Sequence, residues 1–158
     1  MALRKICTPE KGFTQIELIV VIGLFAIVAG FALIMSMDDY RAASYRSERD
    51  MAIAVLQRAR SEALAGLCLG SCTDGKPHGV HVQSGQYVIF QGTSFVAGDP
   101  LNEVIVMRDK AVSITGAADV VFSLLSATAT PATLTFGDGL GHTSTISVGS
   151  EGQITWTN

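Results

Sequence analysis

From Leu18 to Met37 the chain reads LIVVIGLFAIVAGFALIMSM, twenty residues without one charge. At 1.5 Å rise per residue, a helix of that length covers about 30 Å, the hydrocarbon thickness of an ordinary bilayer. A buried core helix fits poorly, because helices of soluble domains seldom stay apolar on every face for so long. A secretory signal peptide is the stronger rival. Its apolar region runs about 7–15 residues and closes on a small-x-small cleavage site, whereas this run is longer and continues into a helix-compatible polar stretch. The segment predicts a retained, single membrane helix.

Charge does not orient that helix. Arg4, Lys5 and Lys11 precede it, and Arg41, Arg46 and Arg49 follow it, so the positive-inside count is tied. A domain of this size after the span can be translocated regardless of such charges, which allows an outside carboxyl-terminal domain. The rest of the chain is acidic. From Ser61 onward the basic residues are Lys76, Arg108 and Lys110, against Glu62, Asp74, Asp99, Glu103, Asp109, Asp119, Asp138 and Glu151. Few groups there could bind phosphates, and nucleic acid is not an expected partner.

Glu17 resists the reading as a plain anchor, because it stands at the front of the apolar run. A charge well inside a bilayer costs roughly 2.5–3.5 kcal/mol on insertion scales and usually pairs or marks function. An interfacial carboxylate facing headgroup water is the competing account.

The stretch Lys11-Gly12-Phe13-Thr14-Gln15-Ile16-Glu17-Leu18-Ile19-Val20 resembles the cleavage and methylation motif of type IV prepilins. It joins a basic leader, a Gly before the cut, a Phe after it, Thr-x-x-Glu and an unbroken apolar helix. Gln15 departs from the family's usual apolar residue. The resemblance implies that a prepilin peptidase cuts between Gly12 and Phe13 at the cytoplasmic face and methylates the new amine of Phe13. That amine lies four residues from Glu17, on one side of a helix. In the family this carboxylate is thought to meet the amino terminus of a neighbouring subunit, so neutralisation within the membrane favours entry into a filament. Cleavage would take the formal charge from −3 to −5, since Arg4, Lys5 and Lys11 leave with Glu10.

Phe31 to Ala65 contains neither Gly nor Pro, which predicts that the helix continues as one rod. Ala52, Val55, Leu56, Ala59 and Ala63 follow helical spacing and should pack on a sheet. Arg46/Asp50 and Arg58/Glu62 are four-residue pairs suited to a solvated flank. Gly66 is the expected stop. Beyond it, short β-like segments alternate with Gly, Ser, Asp and Pro: 79–83, 87–91, 103–107, 111–115, 120–125, 133–136, 145–148 and 153–156. Ser84-Gly85-Gln86 and Gly149-Ser150-Glu151-Gly152 read as hairpin connections, and Ser126–Ala132 as a loop.

The expected fold is α+β, a long amino-terminal helix packed on an antiparallel sheet domain, as in type IV pilins. Its parts are a cleaved leader over 1–12, a membrane and polymerisation helix over 13–37, an amphipathic continuation over 38–66 and a β-rich head over 67–158. LQRARSEALAGLC, GVHVQSGQYVIFQG and TLTFGDGLGHTSTISVGSEGQITW resemble the GspH/FimT-type minor pilins and pseudopilins. This second resemblance implies a minor subunit of a type IV pilus or of a type II secretion pseudopilus, near its tip or initiating complex. The implied partners are prepilin peptidase, other pilins or pseudopilins, the inner-membrane assembly platform and the membrane itself. Before assembly the amino terminus would be cytoplasmic and the head extracytoplasmic; afterwards the subunit would sit in a surface or periplasmic filament.

Cys7 would leave with the leader, so Cys68 and Cys72 remain, with Gly70 between them to allow a turn. A disulfide closing that small loop gives about 2 kcal/mol in the chain-entropy model; two free thiols are the alternative. No His-Glu-x-x-His, Gly-x-Ser-x-Gly or phosphate-loop pattern occurs, which points away from an enzyme and implies no cofactor. Cys72, Asp74, His78 and His81 are irregularly spaced for a metal site and read as polar loop residues. Asp138-Gly139-Leu140-Gly141-His142 reads as a tight turn. A monomeric, membrane-anchored binding domain competes with the filament subunit. A DNA-uptake minor pilin follows from resemblance alone, and the acidic head argues against it.

Overall fold

The computed structural model describes residues 12–107, 111–139 and 141–158, with side chains described except over 32–39. The expected leader, apart from Gly12, lies outside the described residues, as do Arg108 and Lys110. The chain divides into two units, Met1–Tyr40 and Arg41–Asn158.

One helix, α1 (Gln15–Leu64), runs through the boundary between them. Its start is set by Thr14, whose hydroxyl accepts the backbone N–H of Glu17 at 3.3 Å. That places Thr14 at the N-cap and Glu17 three residues in, the arrangement of a capping box. Its end is set by Gly66 at φ 61°. The N–H of Leu67 donates to the Glu62 carbonyl at 3.0 Å and that of Gly66 to Ala63 at 3.1 Å. This Schellman pairing satisfies carbonyls that the helix itself leaves open, and it needs a residue that takes the left-handed conformation without strain.

In the first unit every described apolar side chain of α1 is exposed, from Ile16 to Phe31. Among the described residues no helix is long and apolar enough to cross a membrane. The uncharged sequence run extends to Met37, into positions whose side chains are not described.

The second unit holds eight strands among the described residues: β1 (His78–Gln83), β2 (Gln86–Gln91), β3 (Glu103–Val106), β4 (Ser113–Gly116), β5 (Asp119–Phe122), β6 (Ala132–Gly137), β7 (Thr143–Val148) and β8 (Ile154–Thr157). Each falls within a few residues of an expected segment. The expectation of one sheet gives way to two four-stranded antiparallel sheets, ordered β3-β2-β1-β5 and β4-β6-β7-β8. The chain leaves the first sheet after β3, contributes β4 to the second, returns for β5 and crosses again to β6. Local patterning fixes strands but carries no record of such a crossing.

Alternation along the strands sends one face of each sheet into the core. Val80, Tyr87, Ile89, Val120 and Phe122 from the first sheet meet Leu134, Phe136, Ile146 and Val148 from the second, around Ala52, Val55, Leu56, Ala59 and Ala63 of α1. The expected core positions of the helix are therefore all used. Burial of each large side chain is worth about 1.5–3 kcal/mol, and the small Ala positions let the sheets approach the helix closely. Gly79 is needed for a similar reason, since a Cβ there would collide with the Phe90 ring.

Of the two expected ion pairs, Arg58–Glu62 forms at 3.0 Å. Asp50 instead pairs with its neighbour Arg49, at 2.8 Å. Arg49 is buried because it also bonds the Asn158 side chain at 2.8 Å and lies 4.2 Å over the Trp156 ring. It thus ties α1 to β8 and the residue that follows it.

Candidate functional site

The chemically distinctive groups of the first unit cluster at the beginning of α1. Gly12 and Phe13 precede the helix and are exposed, Phe13 at 85%. Glu17 occupies the first helical turn and is exposed. A carboxylate in that turn interacts favourably with the unpaired N–H groups of the helix start, an effect of about 0.3–1 kcal/mol. The Thr-x-x-Glu spacing therefore has a local structural use as well: Thr14 caps the first turn, and Glu17 is held where the helix begins. The signal was present in the sequence as a Ser/Thr-x-x-Glu pattern before an apolar run.

Cys68 and Cys72 are joined in a disulfide, with Cα atoms 6.0 Å apart. Of the two alternatives left open by the spacing, the bridge is the one the structure takes. Gly70, at φ 80°, makes the turn between them. Gln91 of β2 binds this loop from the side, its Oε1 accepting from the Leu69 N–H at 2.5 Å. The bridge therefore lies in the connection that leads from the end of α1 to the first sheet, away in sequence from Phe13 and Glu17.

The residues weighed as metal ligands do not converge. Cys72 is in the disulfide, His78 is buried with Nδ1 3.1 Å from the Lys76 carbonyl, and His81 pairs with Asp119 at 2.6 Å. The His81 ring also stacks on Phe95 at a centroid distance of 4.0 Å. Among the described residues no group of three His, Cys, Asp or Glu side chains could hold a metal ion. Asp138 and His142 are bound to each other, Oδ2 to Nδ1 at 2.6 Å, with the His142 backbone N–H also donating to Asp138 Oδ1 at 3.2 Å.

Among the described residues of the second unit, two groups have displaced acidities, and each has a structural cause. Glu103, and then Glu62, hold the Arg58 guanidinium charged more firmly than usual, through hydrogen bonds from the exposed side chain. Burial, with a smaller contribution from the Glu48 carboxylate, pushes the Tyr87 phenol well above its ordinary value. Neither places a reactive base or nucleophile in a cleft.

A crystal structure of the type IV minor pilin FimU from Pseudomonas aeruginosa superimposes on this chain with a TM-score of 0.51, over 74% of this chain and 92% of that one. The fold is that of a type IV minor pilin. Identity over the match is 13%, so the likeness lies in architecture: an amino-terminal helix packed on antiparallel sheets. No protein-family model matches the sequence, and no curated protein matches it. The pilin-like α+β fold expected from the sequence is thus the fold observed.

Proposed function

We propose that the chain is a structural minor subunit of a type IV pilus or of a type II secretion pseudopilus, processed by prepilin peptidase and polymerised through its amino-terminal helix. The observation that carries this reading is the start of α1 on a pilin fold. Thr14 caps a first turn that carries Glu17, an exposed Phe13 precedes that turn, and every described apolar side chain from Ile16 to Phe31 is exposed. Exposed apolar surface of that extent needs a lipid or protein environment. The proposed division is a leader over 1–12, a membrane and filament helix over 13–37, its amphipathic continuation over 38–66 and a head over 67–158. The peptidase would cut between Gly12 and Phe13 and methylate the Phe13 amine, and Glu17 would neutralise that amine on a neighbouring subunit. The other partners are an inner-membrane assembly platform and the filament's remaining pilins or pseudopilins.

Intact mass of the chain, expressed with a prepilin peptidase, tests the reading. The expected product begins at methylated Phe13 and co-purifies with other pilin-type subunits. A stable product that retains Met1 would reject processing and support a monomeric anchored domain instead. Recovery with sheared surface pili, as opposed to loss of protein secretion in a deletion strain, separates the two machines.

A further inference from the structure

The two sheets expose different outer faces. That of the first is overlaid by the segment between β2 and β3, where Phe95 stacks on His81 and meets the edge of Phe90. That of the second, among the described residues, is hydroxyl-bearing and uncharged. Opposite Leu134, Phe136, Ile146 and Val148, which enter the core, alternation sends Thr133, Thr135, Thr143, Thr145 and Ser147 outward.

The register aligns these residues across the strands. Thr115 pairs with Thr135, Thr135 with Thr145, and Thr145 with Thr157, a row that crosses all four strands. A second row runs from Thr133 to Ser147 to Thr155. Neighbours within a row are about 4.8 Å apart and the rows about 7 Å apart. Within the described residues, the hydroxyls of Thr133, Thr135, Thr145 and Thr157 make no hydrogen bond, which leaves each free to donate once and accept twice. A shallow depression of about 400 Å³ lies over the second row, lined by Thr133, Ser147 and Thr155 with Pro131 and Gln153 at its margin.

Thr is common on strands for its β-branched shape, but a solvent-facing sheet ordinarily mixes in Lys and Glu, above all at its edges. Here β4, β6, β7 and β8 contain no Asp, Glu, Lys or Arg. The absence of cations removes the attraction that nucleic acid or an anionic lipid surface needs. The absence of large apolar or aromatic side chains on this face removes the anchors of a protein interface. What such a surface matches is a neutral ligand whose own groups both donate and accept, repeat at on the order of the strand spacing, and alternate with C–H faces that the Thr methyls can touch.

We propose that the outer face of the second sheet binds a neutral polysaccharide, laid along the rows Thr115–Thr135–Thr145–Thr157 and Thr133–Ser147–Thr155. The site is independent of how the amino-terminal helix is processed or assembled, so failure of either reading leaves the other standing.

The test is co-sedimentation of the full chain, purified in detergent, with cellulose, chitin or starch granules. The expected result is retention on at least one of these that persists when salt is raised to about 0.5 M, since no ion pair is involved. Thr135→Val with Thr145→Val keeps the β-branched shape and should lower retention about tenfold by removing two hydroxyls. Thr145→Ser, which keeps the hydroxyl, should bind like the parent. No retention on any of the three, retention abolished by salt, or retention unchanged in the double Val variant overturns the proposal. So does sedimentation without polysaccharide that the double Val variant loses, which would assign the face to a second copy of the chain.

Discussion

The Glu17 backbone N–H donates to the Thr14 hydroxyl at 3.3 Å, so the carboxylate proposed to pair with the Phe13 amine sits on a turn that Thr14 itself caps. The two residues can be separated. Thr14→Ala should weaken the first turn by about 1 kcal/mol and reduce filament entry partially, with cleavage retained. Glu17→Ala should also be cleaved but enter filaments poorly, because it removes the charge as well. Mass of the processed chain and the subunit content of sheared filaments check both. Entry of the Glu17→Ala chain at parental levels would remove the pairing role.

Arg58 holds Glu103 through both terminal guanidinium nitrogens, Nη1 and Nη2, at 2.8 and 2.5 Å, but both side chains are about half exposed. Glu103→Ala should therefore cost no more than about 1 kcal/mol at low salt, and less at high salt. Leu56→Ala, in the sheet-facing core of α1, should cost about 2–5 kcal/mol with no such salt dependence. Urea titrations of the head transition at two salt concentrations separate the two cases. A larger loss from Glu103 than from Leu56 would mean that this ion pair, and not helix-to-sheet packing, dominates the head.

Cys68 and Cys72 close their loop at a Cα separation of 6.0 Å. Purified protein should yield no free thiol from this pair before reduction and two afterwards. The double Ser variant should lose about 2 kcal/mol by the chain-entropy model. Free thiols in unreduced, extracytoplasmic protein would contradict the bridge.

Much of this architecture is legible from local chemistry. Helical spacing marks Ala52, Val55, Leu56, Ala59 and Ala63, Gly66 marks the helix end, and alternation with turn residues marks the strands. What local chemistry does not carry is partnership at a distance. Nothing near β4 says that it joins β6 in a different sheet from β3, and nothing near Arg49 says that Trp156 and Asn158 will cover it. The Thr rows are of the same kind. ATLTF, TSTIS and ITWT each read as ordinary strands, and only the register turns their alternate positions into one continuous face. At the start of α1 the case is reversed: Gly12, Phe13, Thr14 and Glu17 are neighbours in sequence, so motif and geometry carry nearly the same information.

Tyr87, on the strand β2 that lies between β1 and β3, is buried in the core, and its hydroxyl finds no hydrogen-bond partner among the described residues. Burial, then the nearby Glu48 carboxylate, raises the pKa of its phenol in the folded state above the ordinary value of 10.0. A raised folded value means that the native state keeps the phenol proton where the unfolded chain releases it. The contribution to stability is therefore complete below about pH 10 and falls away as the pH rises from there through the folded value. Tyr87→Phe removes both the ionisation and a buried hydroxyl without a partner. It should be neutral to about 1 kcal/mol stabilising at pH 7, and its stability should decline less than the parent's between about pH 10 and 11. Parallel urea titrations at neutral and alkaline pH check this. An equal alkaline loss in both proteins would assign the effect to other groups.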